Sequence, residues 1–161
     1  MMKPYIRFAL MVLTSTVVMF MFKYLSTYKI DHVFFSETRL YMALLMGASM
    51  AVIMLLFMRN MLKNRKMNIG IITGSIAVFF IALFLLRSQT IVDDVDYMEA
   101  MIPHHSIAIL TSERAEISDP RVRKLADEII KAQVREIGEM KKLIKDLEED
   151  EEQEAEEAKE E

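Results

Sequence analysis

Residues 67–86 read MNIGIITGSIAVFFIALFLL, 20 consecutive positions without an acidic or basic side chain. At about 1.5 Å of rise per residue, a helix of this length covers the roughly 30 Å hydrocarbon core of a bilayer. Two further uncharged runs, at 8–22 and 40–58, contain 15 and 19 residues. The shorter run spans only if the flanking Arg7 and Lys23 extend towards the head groups. The sequence therefore predicts a membrane anchor over residues 1–87, with transmembrane helices at about 6–26, 39–58 and 67–86.

Charged residues are distributed unevenly outside these runs. Residues 1–87 carry 10 Lys or Arg and 2 Asp or Glu, residues 88–147 carry 9 and 12, and residues 148–161 carry 1 and 10. A cationic apolar front and an acidic end exclude a uniform soluble globule and a nucleic-acid-binding protein with a broad basic face. Because the chain has no Cys, disulfides, zinc–thiolate sites and Cys nucleophiles are excluded as well.

The basic residues of the front predict its orientation. Lys3 and Arg7 precede the first span, and residues 59–66 carry four further cations between the second and third spans. By the positive-inside rule both segments face the cytoplasm of an inner (cytoplasmic) membrane, and everything after Arg87 is periplasmic or extracellular. A cleaved signal peptide is the alternative for the first span. No small-x-small cleavage site follows that span, so an uncleaved signal anchor is favoured.

Two patterns inside the spans bear on helix packing. Met recurs at every fourth position from Met42 to Met58. Each step of four advances about 40° beyond a full turn, so the sulfurs wind around the helix, which favours packing over an ion pathway. Gly47, and the small-xxx-small pair Gly70 and Gly74, predict close helix contacts.

Beyond the membrane, residues 88–147 predict a hairpin of two helices. The first helix begins near Asp93 or Asp94, whose carboxylates suit a helix N-terminus, and continues to about Glu116. The dipeptide Asp119-Pro120 marks the start of the second helix. Its carboxylate can accept the free amides of the first turn, and proline has no amide hydrogen to leave unpaired.

The second helix is amphipathic and is predicted to end near Leu147. Gln133 and Glu136 fall inside its apolar stripe, where a polar group without a partner costs about 1–3 kcal/mol, so the first helix is expected to supply partners. The apolar stripe lies within about 60° of one line on the helix and comprises Val122, Leu125, Ala126, Ile129, Ile137, Met140, Ile144 and Leu147.

After Leu147, residues 148–161 predict a solvated acidic tail, helical or frayed.

The first helix carries side chains able to bond these groups or to hold a metal ion. Met98, Met101 and His105 share one face, whereas His104 points about 100° away. Adjacent histidines on a regular helix do not easily coordinate the same metal ion, although Pro103 can distort the local turn. We therefore expect one histidine to face the second helix and the other to face a neighbouring subunit or solvent.

Two interpretations of these residues remain open from their spacing. In one, the histidines are core or interface groups satisfied by Gln133 and Glu136, and the methionines only pack. In the other, imidazole nitrogens and thioether sulfurs hold a metal ion, and the two polar residues orient the rings. His32, next to Asp31 in the outer loop, shares the compartment of the hairpin, and assistance to a metal ion is one interpretation of it. The favoured expectation is that it is solvated, as lone loop histidines usually are.

The motif Asp94-x-x-Tyr97-x-x-x-Met101-Ile102-Pro103-His104-His105, followed by Gln133-x-x-Glu136-Ile137-x-x-Met140, resembles the family known as domain of unknown function 305. The likeness covers about residues 93–147. It implies a ferritin-like helical bundle and a copper ion as cofactor, because similar exported proteins are implicated in copper binding and tolerance. The resemblance implies metal ligands among Met98, Met101, His104, His105 and Met140, supported by Gln133, Glu136 and Asp94.

Longer relatives resemble two tandem copies of this motif, whereas this chain holds one, enough for two helices. Because a hairpin of about 55 residues buries little core, we expect two chains to pair into a four-helix bundle, as a homodimer or higher homo-oligomer. The Glu-x-x-His pattern of carboxylate di-iron bundles is absent, since Met101 and Ile102 stand three positions before the histidines. No catalytic or phosphate-binding motif is present either.

The sequence as a whole predicts an all-α protein, with three transmembrane helices followed by an exported two-helix hairpin. The expected function is non-enzymatic: binding of copper, preferably Cu(I), at the outer face of the bilayer. Imidazole and thioether suit this ion better than the oxygen-preferring Mg²⁺ or Ca²⁺. Envelope copper-handling proteins are the expected partners. The alternative is an envelope scaffold or interaction protein whose hairpin oligomerises without metal.

Overall fold

The computed structural model describes residues 2–160, and no strand occurs among them. The predicted all-α class is therefore confirmed. The helices group into two compact units: α1, α2 and α3 in one, and α4, α5 and the loop Tyr24–Ser36 in the other. In chain order the elements are α1 (Met2–Phe22), a short 3-10 turn (Ile30–His32), α2 (Glu37–Phe57), α3 (Arg65–Ser88), α4 (Asp94–Arg114) and α5 (Pro120–Glu160).

The first three helices are long and apolar enough to cross a membrane. Helix α1 begins before the predicted residue 6, since Pro4 is tolerated in the first turn of a helix. It ends at Phe22, before the predicted residue 26. Helix α3 begins before the predicted residue 67, because the Asn64 side chain accepts the amides of Lys66 and Met67 and caps the helix there.

Hydrogen bonds hold the start of α1 against the loop between α2 and α3. The Tyr5 hydroxyl accepts the amide of Asn64 at 2.9 Å and donates to Asn68 Oδ1 at 2.8 Å. Asn68 Nδ2 donates to the carbonyl of Leu62 at 2.7 Å, and Leu62 itself is 1% exposed. The two basic segments that the sequence assigns to one side of the membrane therefore lie at the same end of this unit.

The glycines of this unit serve different purposes. A Cβ at Gly47 would collide with the Thr16 side chain, so this glycine permits the close approach of α1 and α2. At Gly70 and Gly74 a Cβ would meet nothing within 4 Å. The close contact expected at this pair is therefore not formed among the residues that the structure describes. Among the regularly spaced methionines, Met54 and Met58 pack against the core of the unit.

The hairpin begins and turns at the residues that the sequence indicates. Asp93 caps α4 by accepting the amide of Asp96 at 2.8 Å, and Asp119 accepts the amide of Arg121 at 2.8 Å at the start of α5. Pro103 lies inside α4 without ending it. Helix α5 does not end near Leu147 but continues to Glu160, since the tail contains good helix formers such as Glu and no Gly or Pro.

A small apolar core joins α4 and α5. It contains Met98, Ile102, Ile109, Ile137 and Ile144. Part of the apolar stripe predicted on α5 remains uncovered, because one facing helix is narrower than the stripe: Val122 and Leu125 are 49% and 56% exposed.

Candidate metal centre

His105 lies in the contact between α4 and α5, which we call the seam, and one of its ring nitrogens has no hydrogen-bond partner there among the residues that the structure describes. Its Nδ1 atom is buried and lacks a hydrogen-bond partner among residues 2–160. Glu136 Oε2 approaches this atom at 3.4 Å, a distance beyond that of an ordinary hydrogen bond. The Gln133 amide nitrogen lies 3.5 Å from the same carboxylate oxygen, which is likewise a long contact. One imidazole nitrogen is thus held in the seam, close to polar groups but not bonded to them.

The contact between His105 and Glu136 sets the register of the hairpin. One turn towards the start of α4 lies Met101, and one turn towards the end of α5 lies Met140. Because the helices run antiparallel, these two positions face each other across the seam. Met101 is partly buried, and Met140 packs against the apolar core. The helix register therefore places the positions of Met101 and Met140 one turn from the pair His105 and Glu136, in two adjacent layers of the hairpin.

The other predicted site residues lie away from these layers. Met98 is 8% exposed in the apolar core, about 10 Å from His105 along the helix axis. His104 is exposed, and its ring centroid lies 6.2 Å from that of His105. Asp94 is exposed at the first residue of α4, about 16 Å along the axis from His105. The structure thus does not bring Asp94 to the site, and it places the two histidine rings on different sides of α4.

Within residues 2–160, no group of three or more His, Asp or Glu side chains is arranged to hold a metal ion. The described part of one chain therefore offers no site built from imidazoles and carboxylates alone, the donor set of carboxylate di-iron bundles. Methionine sulfurs are donors of a different kind, and the helix register places Met101 and Met140 one turn from His105 and Glu136.

Burial lowers the pKa of His105 below its ordinary value of 6.5. The Glu136 carboxylate acts in the opposite direction, and the neighbouring His104 adds to the lowering. The neutral imidazole is the form that binds metal ions. The seam therefore favours the ligating form of this side chain at neutral pH.

The segment Tyr24–Ser36, which we call the strap, docks onto α4 directly beside the seam. The Tyr28 amide donates to Ser106 Oγ at 2.7 Å, and His32 Nδ1 lies 2.9 Å from the same oxygen. Ser106 is 0% exposed and His32 is 6% exposed. The expectation that His32 is solvated is therefore wrong: its imidazole is buried against the residue that follows His105.

The strap also contacts both helices of the hairpin through charged and apolar groups. Lys141 of α5 donates to Asp31 at 2.8 Å and thereby lowers the pKa of this carboxyl group. The Tyr28 hydroxyl bonds to Glu113 of α4, which raises the pKa of the tyrosine. Tyr28 and Phe34 pack against the apolar core. The hairpin thus gains a third layer, supplied by the loop between α1 and α2.

Comparisons with known proteins place this architecture in a family. Residues 94–161 match the family model described as Domain of unknown function (DUF305). An uncharacterized protein of Acanthamoeba polyphaga mimivirus is 34% identical over 141 residues, which cover 83% of this chain and 91% of the relative. The chain belongs to this family. No solved structure matches it.

The two comparisons cover different parts of the DUF305 chain. The family model begins at Asp94, the first residue of α4, and extends through the acidic end of α5. The viral relative matches 83% of the chain, so its likeness extends into the apolar helices that precede the hairpin.

Two features of the DUF305 sequence point to the strap once the structure is known. The sequence predicts three spans, and this prediction puts the loop between the first and second spans on the same side of the membrane as the hairpin. This loop also carries Asp31 and His32 next to aromatic residues that can pack. Neither feature identifies Ser106, whose hydroxyl is the centre of the docking contacts.

Acidification is expected to destabilise the unit formed by the strap and the DUF305 hairpin. Burial lowers the pKa of both His32 and His105 below 6.5, so the unfolded chain takes up protons first as the pH falls. This contribution to stability is full above pH 6.5 and is lost progressively below it. The check is the midpoint of thermal unfolding of the full chain in detergent micelles, which should fall between about pH 7.5 and about pH 5.

Variants separate this effect from general acid sensitivity. His32→Gln/His105→Gln should show a smaller fall of the midpoint than the parent chain. His104→Gln, at an exposed position, should reduce the fall only slightly, because His104 is the smallest of the causes that act on the pKa of His105. Asp31 faces His32 and favours its charged form, while Lys141 and Lys29 disfavour it. The pKa of Asp31 lies below its ordinary value of 3.8, so this carboxylate stays ionised over the range. An unchanged fall in the double variant would contradict the assignment.

Proposed function

We propose that this protein is a non-enzymatic, membrane-anchored metal-binding protein that holds copper as Cu(I) between α4 and α5, in copper handling or tolerance. The observation that carries the proposal is the buried Nδ1 atom of His105, which has no hydrogen-bond partner among the described residues. A neutral imidazole nitrogen without a partner is costly in a core, and a metal ion would satisfy it.

The soft side chains that the helix register brings to this part of the hairpin fit Cu(I). The seam offers the imidazole of His105 and the thioethers of Met101 and Met140, a soft set that suits a monovalent copper ion. Hard cations such as Mg²⁺ and Ca²⁺ require oxygen ligands, of which this site has only Glu136. Because Glu136 Oε2 lies 3.4 Å from the same Nδ1 atom that would bind the ion, we assign this carboxylate to the edge of the site, where its charge favours a cation. We assign Gln133, whose amide lies 3.5 Å from that carboxylate, to positioning it.

His104 has a separate role in this proposal. Its ring is exposed, and its centroid lies 6.2 Å from that of the partly buried ring of His105. We assign His104 to capturing the ion at the edge of the site. The adjacent exposed and partly buried imidazoles would then provide a short route from solvent to Nδ1 of His105.

The hairpin and the strap are assigned to the periplasmic or extracellular side. They belong to one compact unit. In the predicted topology the loop follows one span and the hairpin follows three, so both lie on that side of the membrane. The positive-inside rule assigns the cations of residues 59–66 and the start of α1 to the cytoplasm.

Pairing of two chains accompanies this proposal. Val122, Leu125 and Leu143 are about half exposed on α5, at 49%, 56% and 52%. A second copy covering them would complete a four-helix bundle, the smallest helical bundle with a substantial core. The same observation favours the competing function, an envelope scaffold that oligomerises without metal.

A competition titration of the full chain in detergent micelles tests the proposal. With a chromophoric Cu(I) chelator as competitor, the parent chain should retain Cu(I) more strongly than Zn²⁺ or Fe²⁺, and X-ray absorption should show both nitrogen and sulfur around the copper. Absence of sulfur donors would reject this site. If the apo chain already dimerises fully and copper changes neither its assembly nor its stability, the scaffold function is the better account.

A further inference from the structure

A cavity of about 680 Å³ opens at the end of the anchor where α2 leads through a short loop into α3. Its lining has two chemical characters. Arg59, Lys63 and Arg65 provide three cations, and Asn68 provides an uncharged polar group. The rest of the lining is apolar, with Leu55, Leu56, Leu62, Ile69 and Ile72. A charged rim above an apolar floor is complementary to an amphipathic molecule, which has a polar head and an apolar tail.

The three cations have no acidic partner among the residues that the structure describes. None of the ion pairs found within residues 2–160 includes Arg59, Lys63 or Arg65. The sequence contains no Asp or Glu between Glu37 and Asp93. The positive charge at this rim is therefore not compensated by the helices that form it.

The loop that carries these cations is held in place. Tyr5 and Asn68 bond to the backbone of Asn64 and Leu62, and Leu62 is 1% exposed. Asn64 also caps α3. A cavity with a fixed frame binds a ligand at a lower entropic cost than one that must first be ordered.

We infer that this cavity binds an anionic phospholipid. Arg59, Lys63 and Arg65 take the head-group phosphate, and an acyl chain follows Leu56, Ile69 and Ile72. Leu56 and Ile69 are 54% and 55% exposed at the ends of two helices long and apolar enough to cross a membrane. This is the level at which head groups meet the acyl region, and basic pockets between spans bind acidic head groups there.

A lipid-exchange measurement on the full chain tests the inference. The protein is purified in a neutral detergent and titrated with phosphatidylglycerol or with phosphatidylcholine of the same acyl chains, and bound lipid is counted by native mass spectrometry. The parent chain should prefer phosphatidylglycerol. The triple variant Arg59→Gln/Lys63→Gln/Arg65→Gln should bind phosphatidylglycerol with an affinity lower by on the order of 100-fold, because each cation near a membrane surface contributes a factor of about five.

The matched control removes three charges at the same end of the anchor but outside the cavity, as Lys3→Gln/Arg7→Gln/Lys66→Gln. This control should keep most of the preference. An equal loss in both triple variants would overturn the inference in favour of diffuse surface attraction. It would also be overturned by equal binding of the two lipids to the parent chain, or by inorganic phosphate displacing phosphatidylglycerol at millimolar concentration, which would indicate a free-phosphate site. Helicity of each variant by circular dichroism verifies folding.

Discussion

His105→Ala is expected to lower the affinity of the full chain for Cu(I) by on the order of 100-fold or more. Loss of a group that only orients a metal ligand typically costs roughly 10- to 100-fold, and here the proposed ligand itself is removed. The imidazole that is lost is the one whose buried nitrogen has no hydrogen-bond partner in the described part of the chain. Competition with a chromophoric Cu(I) chelator measures the change.

His104→Ala is the matched control, since it removes the same side chain from the adjacent, exposed position. We expect a loss of only a few fold at equilibrium, together with slower uptake in stopped-flow measurements. If His104→Ala weakens binding as strongly as His105→Ala, the ion lies on the exposed side of α4 and the seam assignment is wrong.

Removing the sulfur donors tests the same site while keeping the packing. Leu has nearly the volume of Met, and such exchanges usually cost less than about 1.5 kcal/mol. Met101→Leu/Met140→Leu should therefore fold like the parent chain and still bind Cu(I) more weakly. Unaltered binding by this variant would show that the thioethers only pack.

The hairpin could be predicted because its signals are local. Asp93 and Asp119 specify helix starts by accepting amides three and two residues further along, and Pro120 suits the first helical position because it has no amide hydrogen. The relation between Glu136 and the facing histidine follows from helical periodicity once the hairpin is assumed. The end of α5 could be predicted less well than its start, since the acidic run after Leu147 is compatible with either a helix or a solvated coil.

The strap could not be predicted because its contacts join distant parts of the chain. Tyr28 and Ser106 are 78 residues apart, and Asp31 and Lys141 are 110 apart. Local patterns carry no information about which buried hydroxyl meets which loop. A lone histidine in a loop is usually solvated, and only the position of Ser106 in the folded chain reverses that expectation for His32.

The small residues of the anchor illustrate the same difference. Gly47, Gly70 and Gly74 look equivalent in the sequence, yet only Gly47 is in close contact with another helix among the described residues. A small-residue spacing shows where backbones are able to approach, while the packing of neighbouring helices determines where they do.

Ser106→Ala is expected to release the strap from the hairpin. The substitution leaves the Tyr28 amide and the His32 imidazole without the hydroxyl that both contact at 2.7 and 2.9 Å. A buried polar group that loses its partner costs about 1–3 kcal/mol. The amide of Tyr28 should then exchange its hydrogen roughly 10- to 100-fold faster, since each 1.4 kcal/mol is a factor of about ten. Hydrogen exchange followed by mass spectrometry of the full chain in micelles measures this.

Ser112→Ala on the same helix is the matched control, because both substitutions exchange serine for alanine in α4 and raise helix propensity equally. Ser112 is only partly buried, and its alanine variant should leave exchange at Tyr28 unchanged. Equal exchange rates in the two variants would mean that Asp31, Tyr28 and Phe34 hold the strap without Ser106. A faster rate confined to Ser106→Ala would show that one hydroxyl couples the strap to the turn of α4 that carries His105. Copper binding and strap docking would then share a structural element.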